Sequence, residues 1–189
     1  MLTRKSAVEQ TKQTLTDAFW RLYREKGIDK ITVREITTLA GYNRSTFYEY
    51  FYDVYDVLKQ LEDSLLEKLR FGPPKIGVVS IAELAAAFEE NAEYLSVLFS
   101  KKGDISFMFG AREKLKKPFY DKAAELGKHL TFEEELELEY HVAGIVSSMI
   151  YWLHLPDRPS AEKYLENLHA INDDAIQDMI LKFSSDGTL

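Results

Sequence analysis

Residues 32–51 read TVREITTLAGYNRSTFYEYF, and the organisation of the chain follows from them. Thr32-Val33-Arg34-Glu35 has the form of a capping box. In that device the threonine hydroxyl takes an amide of the first helical turn and the glutamate reaches back to the threonine's own amide. Val33, Ile36 and Leu39-Ala40 then share one apolar face. Gly41 tolerates the left-handed backbone that ends a helix. Asn43 is a good N-cap for a second helix over residues 44–50. That helix carries a guanidinium (Arg44), two hydroxyls (Ser45, Thr46) and a phenol (Tyr48) in its first turn and a half. Two helices joined by a short turn containing glycine match a helix-turn-helix unit, in which the start of the second helix meets base edges in the major groove.

Charge follows the same division. The 189 residues carry a net −7. Residues 1–48 hold nine Lys/Arg against five acids, a net +4, so the rest of the chain carries −11. A basic end on an acidic body suits a nucleic-acid reader attached to something else. Ordinary surface charge is the competing reading. The chain is 46% hydrophobic, enough for one or two domains with a core. It has no cysteine, which excludes disulfides and thiolate chemistry. No secretory h-region begins it, and no apolar run approaches the ~18 residues that span a bilayer. The expected location is therefore cytoplasmic, with no membrane partner.

Ahead of the motif, residues 6–26 read as one helix with Leu15, Ala18-Phe19, Leu22 and Tyr23 inward and Gly27 as its stop. Arg4 and Lys5 are expected to precede it as an arm. Ile28 and Ile31 plug the following turn.

The run AFWRLYREKGIDKITVREITTLAGYNRSTFYEYF, residues 18–51, resembles the N-terminal domain of the TetR/AcrR family of bacterial regulators. Ala18-Phe19, Gly27, Ile31-Thr32-Val33, Ile36, Ala40-Gly41, Ser45-Thr46-Phe47-Tyr48 and Tyr50-Phe51 carry the likeness. The resemblance implies an all-α fold of about nine helices. A DNA-binding head (residues 6–52) would precede a helical body for regulation and dimerisation (residues 53–189). It implies DNA contacts from Thr32, Tyr42, Asn43, Arg44, Ser45, Thr46 and Tyr48, with Phe47 and Phe51 packed inside. The string SVLFSKKGDISF, residues 96–107, is similar to a turn in a short-bodied branch of the family.

One departure stands out. The family usually has a lysine two or three residues after the position of Phe51, near a DNA phosphate. Here the residues are Tyr52-Asp53-Val54-Tyr55, and Asp53 and Asp56 add negative charge. Asp53 reads as an N-cap. This leaves a second reading open: a co-regulator of the same fold that works through a ligand or partner and binds DNA weakly.

The body begins after a linker at residues 71–77 (FGPPKIG). Helix four runs from residue 53 to 70, with Leu58, Leu61, Leu65-Leu66 and Leu69 inward. Ser80-Ile81-Ala82-Glu83 is a second capping box opening one long helix to Phe99. Lys101-Lys102-Gly103-Asp104 is a turn. A helix over residues 105–115 is expected to end before Pro118, because the residue before a proline disfavours helical backbone. A separate short helix over 119–126 then stops at Gly127. Thr131-Phe132-Glu133-Glu134 is a third capping box. It leads into YHVAGIVSSMIYWLHL, which is apolar nearly all round and so needs burial on every side. Ser160 caps a last helix with Tyr164-Leu165, Leu168, Ile171, Ile176, Met179-Ile180 and Phe183 inward. The resemblance implies a homodimer through these last two helices, residues 131–155 and 160–183, and DNA geometry requires two heads about 34–36 Å apart.

No catalytic constellation is present: no P-loop, no G-x-S-x-G, no dinucleotide fingerprint and no H-E-x-x-H. Glu137 and His141 share a helix face but lack further ligands, so no metal and no cofactor is expected. Tyr94, Phe99, Phe107, Tyr140, His141 and Tyr151 are the candidate lining of an effector pocket, against the alternative of core packing. The expected function is a dimeric, operator-binding transcriptional repressor released by a small-molecule effector, and not an enzyme.

Overall fold

The computed structural model describes residues 4–69, 80–100, 103 and 105–185. The expected linker at 71–77, and Lys101, Lys102 and Asp104 of the expected turn, lie outside the described residues. So do the side chains of Ile176, Met179, Ile180 and Phe183. Among the described residues the chain is all-helical, with nine α-helices, one short 3-10 turn and no strand. It divides into two compact units, Met1–Leu65 and Leu66–Leu189.

The first unit opens with α1 (Arg4–Lys26), which includes Arg4 and Lys5 rather than following them. Leu15, Ala18, Phe19 and Tyr23 are buried, and so is Trp20, which the expected stripe omitted. After α1 and a 3-10 turn (Ile28–Lys30) come α2 (Val33–Ala40), α3 (Arg44–Tyr48) and the start of α4 (Val54–Leu69). Helix α1 packs on α2, and α2 on α3. Gly27 and Gly41 hold positive φ of 75° each, the conformation that favours glycine at both helix ends.

Two details differ from the sequence expectation. Leu39 is exposed, and Thr37 takes the inward position instead. Its hydroxyl donates to the carbonyls of Val33 (2.9 Å) and Arg34 (3.1 Å), so burial leaves no polar group unpaired. Helix α3 ends at Tyr48 rather than residue 50, because the chain tightens there: the Tyr50 and Phe51 amides both donate to the Phe47 carbonyl at 3.0 Å. That closure swings Phe51 back beside Phe47, with ring centroids 5.4 Å apart and both rings buried.

In the second unit the long helix expected over 81–99 is two helices, α5 (Ile81–Glu90) and α6 (Ala92–Leu98). Asn91 makes the break. It is buried, and its side-chain amide donates to the Ala87 carbonyl at 2.7 Å, competing with the helical ladder. The two helices expected around Pro118 are one helix, α7 (Ile105–Glu125). A proline inside a helix costs about 3 kcal/mol. Phe107, Ala111, Phe119 and Ala123 are all buried, so a single apolar stripe runs through the proline, and tertiary packing overrides the local preference. Helix α7 ends in a Schellman turn: the Gly127 amide donates to Ala124 (3.0 Å) and the Lys128 amide to Ala123 (2.9 Å).

Helices α8 (Phe132–Leu153) and α9 (Ala161–Ser185) complete the unit. Helix α9 packs on α5, α7 and α8, and α8 packs on α6 and α7. Arg112 and Lys116 on α7 both reach Glu139 on α8 at 2.6 Å. Lys116 is buried and also pairs with Glu113 at 2.7 Å. The Lys116 bond holds Glu139 below the usual carboxylate range, against a smaller opposing effect of burial and with help from Arg112. Glu89 on α5 accepts from Arg158 (2.8 Å) and from the Ala161 amide at the start of α9 (2.7 Å). The Arg158 guanidinium lies 4.5 Å over Trp152, which also stacks on Tyr164 at 4.9 Å and meets Phe88 at 6.3 Å. Burial pushes the Tyr164 hydroxyl up to about 12.

Helix α8 is not buried on every side. Leu138, Val142, Val146, Met149, Trp152 and Leu153 face the unit's interior. Leu136, Tyr140 and Tyr151 are exposed. Gly144 and Ser147 lie on the same outward face.

Candidate nucleic-acid interface

The head builds one surface in which neighbouring polar residues divide between holding the backbone and facing outward. At the start of α2 the Thr32 hydroxyl accepts from the Glu35 amide (3.3 Å) and donates to the Glu35 carboxylate (2.8 Å). Glu35 in turn accepts the Thr32 amide (3.0 Å) and the Lys26 ammonium (2.6 Å). The bond from Lys26, then that from Thr32, holds the Glu35 carboxyl below its ordinary range. Thr32 is therefore a complete cap whose donors are both engaged. The donors that α2 leaves for an anion are its next amides, at Val33 and Arg34.

The start of α3 repeats the pattern. Asn43 Oδ1 accepts from the Thr46 amide (2.8 Å) and from the Ser45 hydroxyl (2.6 Å). Asn43 and Ser45 thus fix the first turn. Between and beyond them Arg44 is exposed and forms no ion pair among the described residues. Tyr48 is 59% exposed, its ring set edge-on against buried Phe47 at 5.4 Å. Tyr42, in the turn, is partly exposed and donates to Thr11 Oγ1 on α1 at 3.4 Å. Packing of Phe47 and Phe51 inward is what aims Arg44, Thr46 and Tyr48 outward.

The region after Phe51, where the family's lysine is missing, has a structural explanation. Val54 is 8% exposed, a core position that a charge could occupy only at a cost. Asp53 Oδ1 accepts the Asp56 amide at 2.8 Å, as an N-cap does. Asp56 Oδ2 accepts the Tyr52 amide (2.8 Å) and the Gln60 side chain (3.0 Å). Both acids are tied into the positive end of α4. Tyr55 donates to Asp29 at 3.0 Å, and that bond, with the charge of Asp29, raises the phenol's pKa.

The six residues considered for an effector pocket occupy different settings. Phe99 and Phe107 are buried partners with centroids 5.0 Å apart. His141 on α8 bonds Asn172 on α9 at 3.1 Å and meets Tyr140 edge-on at 5.4 Å. Tyr140 is 76% exposed and Tyr151 69%, on the outward side of α8, so neither closes a cavity with the buried phenylalanines. Tyr94 is half-buried. A partly open cleft of about 420 Å³ does exist elsewhere in the body, lined by Tyr120, Ala123, Gly127, Lys128, His129, Leu130 and Glu135 among others. None of the six lines it. Sequence periodicity cannot separate a lining aromatic from a core or surface one, because all three fall on helical spacing.

A capped helix-turn-helix head followed by an all-helical unit is an arrangement that can present the start of a second helix to a DNA groove. Residues 15–60 match the family model for bacterial regulatory proteins of the tetR family. Solved structures share the fold over most of the chain. A TetR transcriptional regulator from Streptococcus agalactiae 2603V is 24% identical, with 89% of this chain and 96% of that chain covered and a TM-score of 0.64. The dihydroxyacetone kinase operon activator DhaS is 20% identical, with coverage of 88% and 96% and a TM-score of 0.58. The fatty acid degradation regulator FadR from Bacillus halodurans is 17% identical, with coverage of 85% and 93% and a TM-score of 0.54. A search of curated proteins found no match. Among the described residues no helix is long and apolar enough to cross a membrane.

Proposed function

We propose that the chain is a cytoplasmic transcriptional repressor and not an enzyme. In this reading it binds a palindromic operator as a homodimer and is released when an effector acts on the body. The observation that carries it is the division of labour at α3. Asn43, Ser45, Phe47 and Phe51 are used up in capping and packing, while the side chains of exposed Arg44 and Tyr48 and of half-buried Thr46 form no ion pair or hydrogen bond among the described residues. A bidentate arginine on guanine supplies about 1–3 kcal/mol of discrimination. Thr32 and Tyr42 flank that row, where phosphates pass in the family's mode of binding.

Two heads at operator spacing need two chains. The outward face of α8, with Leu136, Tyr140, Gly144, Ser147 and Tyr151, together with exposed Ile171 on α9, supports a dimer through these two helices. Release requires only that the effector prefer a body conformation with another head spacing; a tenfold loss of affinity corresponds to about 1.4 kcal/mol of coupling.

The test is selection of bound sequences from a random duplex library. A recovered palindrome, with its selectivity lost in Arg44→Ala, supports the operator reading. Weak, sequence-blind binding would replace it with a co-regulator that works through a partner of the body. A reporter under the recovered operator then separates repression from activation, which one protein of similar fold, DhaS, performs by name.

A further inference from the structure

We infer that Lys12 on α1 is a DNA-phosphate contact at the α3–α4 end of the recognition unit, where the first turn of α4 carries no cation. The inference rests on the DNA-binding reading above and adds a residue to it.

Lys12 is exposed, and its ammonium lies 5.8 Å from the centroid of the Phe51 ring. Phe51 immediately precedes the Tyr52-Asp53-Val54 turn in which the family's lysine is absent. Buried Phe47 links that ring to the exposed Tyr48. Phe51 packs on Phe47, and Phe47 on exposed Tyr48, at 5.4 Å each, while Tyr52 next door is 84% exposed. The preceding residue, Thr11, accepts the Tyr42 hydroxyl at the opposite end of the unit. Thr11 and Lys12 therefore bracket α3, one beside the turn before it and one beside the turn after it.

The ammonium has no acidic partner among the described residues, unlike Lys26, held by Glu35, and Lys59, held by Asp63. The acids that follow Phe51 are engaged at the start of α4, where Asp53 accepts the Asp56 amide and Asp56 the Tyr52 amide. The ring contact does not account for the lysine either. At 5.8 Å it stands at the limit of about 6 Å for a cation–π attraction. A lysine so placed keeps its charge available, and a phosphate diester passing Tyr48 is the anion that fits it. Such a contact positions the head without reading sequence.

The experiment measures affinity of the full-length protein for operator and for scrambled duplex across a salt series, for wild type, Lys12→Met, Lys12→Arg and Lys59→Met. Methionine keeps the apolar stem and removes the charge. For Lys12→Met the slope of log K against log salt is expected to fall by about 0.9 for each head engaged, with operator and scrambled DNA weakened alike. Lys12→Arg is expected to retain the wild-type slope, and so is Lys59→Met. An unchanged slope in Lys12→Met overturns the inference. An equal fall in Lys59→Met also overturns it, because the effect would then be one of net charge. A loss confined to the operator overturns it too, by making Lys12 a base reader. A wild-type protein that binds neither duplex overturns the DNA-binding reading itself, and this inference with it.

Discussion

The helix starts of the head are closed by short-range pairs, beside the longer reaches of Tyr42 to Thr11 and Tyr55 to Asp29, whereas the helices of the body are tied to one another by ion pairs and hydrogen bonds far apart along the chain. In the head, Thr32 pairs with Glu35, Asn43 with Ser45 and Thr46, and Asp53 with Asp56, all within three residues. In the body, Arg112 and Lys116 reach Glu139 across 27 and 23 residues, His141 reaches Asn172 across 31, and Arg158 reaches Glu89 across 69. Local pairing fixes the backbone of the head and leaves Lys12, Arg44 and Tyr48 facing solvent. Long-range pairing closes the body on itself. Cations left unpaired stay available to an anion, whereas charges paired between helices lock those helices in register.

The comparison can be broken or sharpened by four substitutions, taken from the largest expected effect. Phe47→Ala removes the fully buried ring on which Phe51 and Tyr48 rest, and is expected to destabilise the head by about 3–5 kcal/mol. Thermal melting followed by hydrogen exchange checks this, with the loss of protection concentrated in α1–α3. Equal loss throughout the body would show that the two units do not unfold separately.

Glu139→Gln leaves Lys116, a largely buried cation, without its partner on α8. A fully buried pair broken this way costs about 3–5 kcal/mol, but Glu139 is partly exposed, so the expected loss is about 1–2 kcal/mol. The pH dependence has a definite sign. The folded pKa of Glu139 lies below the unfolded value near 4.5, so its contribution is present above that value and is lost as pH falls through the folded pKa. Urea melts at pH 7 and at about pH 3 should therefore differ less for Glu139→Gln than for wild type. The same experiment on Glu35, also lowered, measures how much of that behaviour an exposed local cap shares.

Thr32→Ala removes one capping oxygen at the start of α2 and is expected to cost about 1 kcal/mol of stability. Gly144→Trp is expected to leave the isolated chain's stability nearly unchanged, since a Cβ there meets nothing within 4 Å. Placed in the middle of the outward face of α8, the same indole is expected to turn a dimer into monomer in sedimentation equilibrium. A dimer that persists would remove α8 from the interface.

The head was legible because its signals are short. Two glycines that must adopt positive φ, and N-cap residues spaced three from their partners, specify α2, the turn and α3 without reference to distant residues. The body was legible where the same devices occur, at Ser80 and Thr131, whose capping boxes both form. It was misread where packing overrode a local rule: Pro118 stays inside α7, and Asn91 divides what reads as one apolar stripe. The setting of the candidate effector residues was not legible for a related reason. Tyr140 and Tyr151 lie four and seven residues from Gly144 on a helix whose composition suggests uniform burial, and only the packing of α6, α7 and α9 decides which side stays outside.

The sequence by itself therefore determined the all-helical class, the helix-turn-helix unit and its caps. These depend on hydrogen bonds and backbone preferences within one or two turns. Only the tertiary structure decided that Val54 is core, that Thr37 rather than Leu39 points inward, and that Lys12, some forty residues before the missing lysine, stands beside Phe51. Those outcomes depend on which surfaces of separate helices meet, and that is set by burial across the fold rather than by any neighbour along the chain.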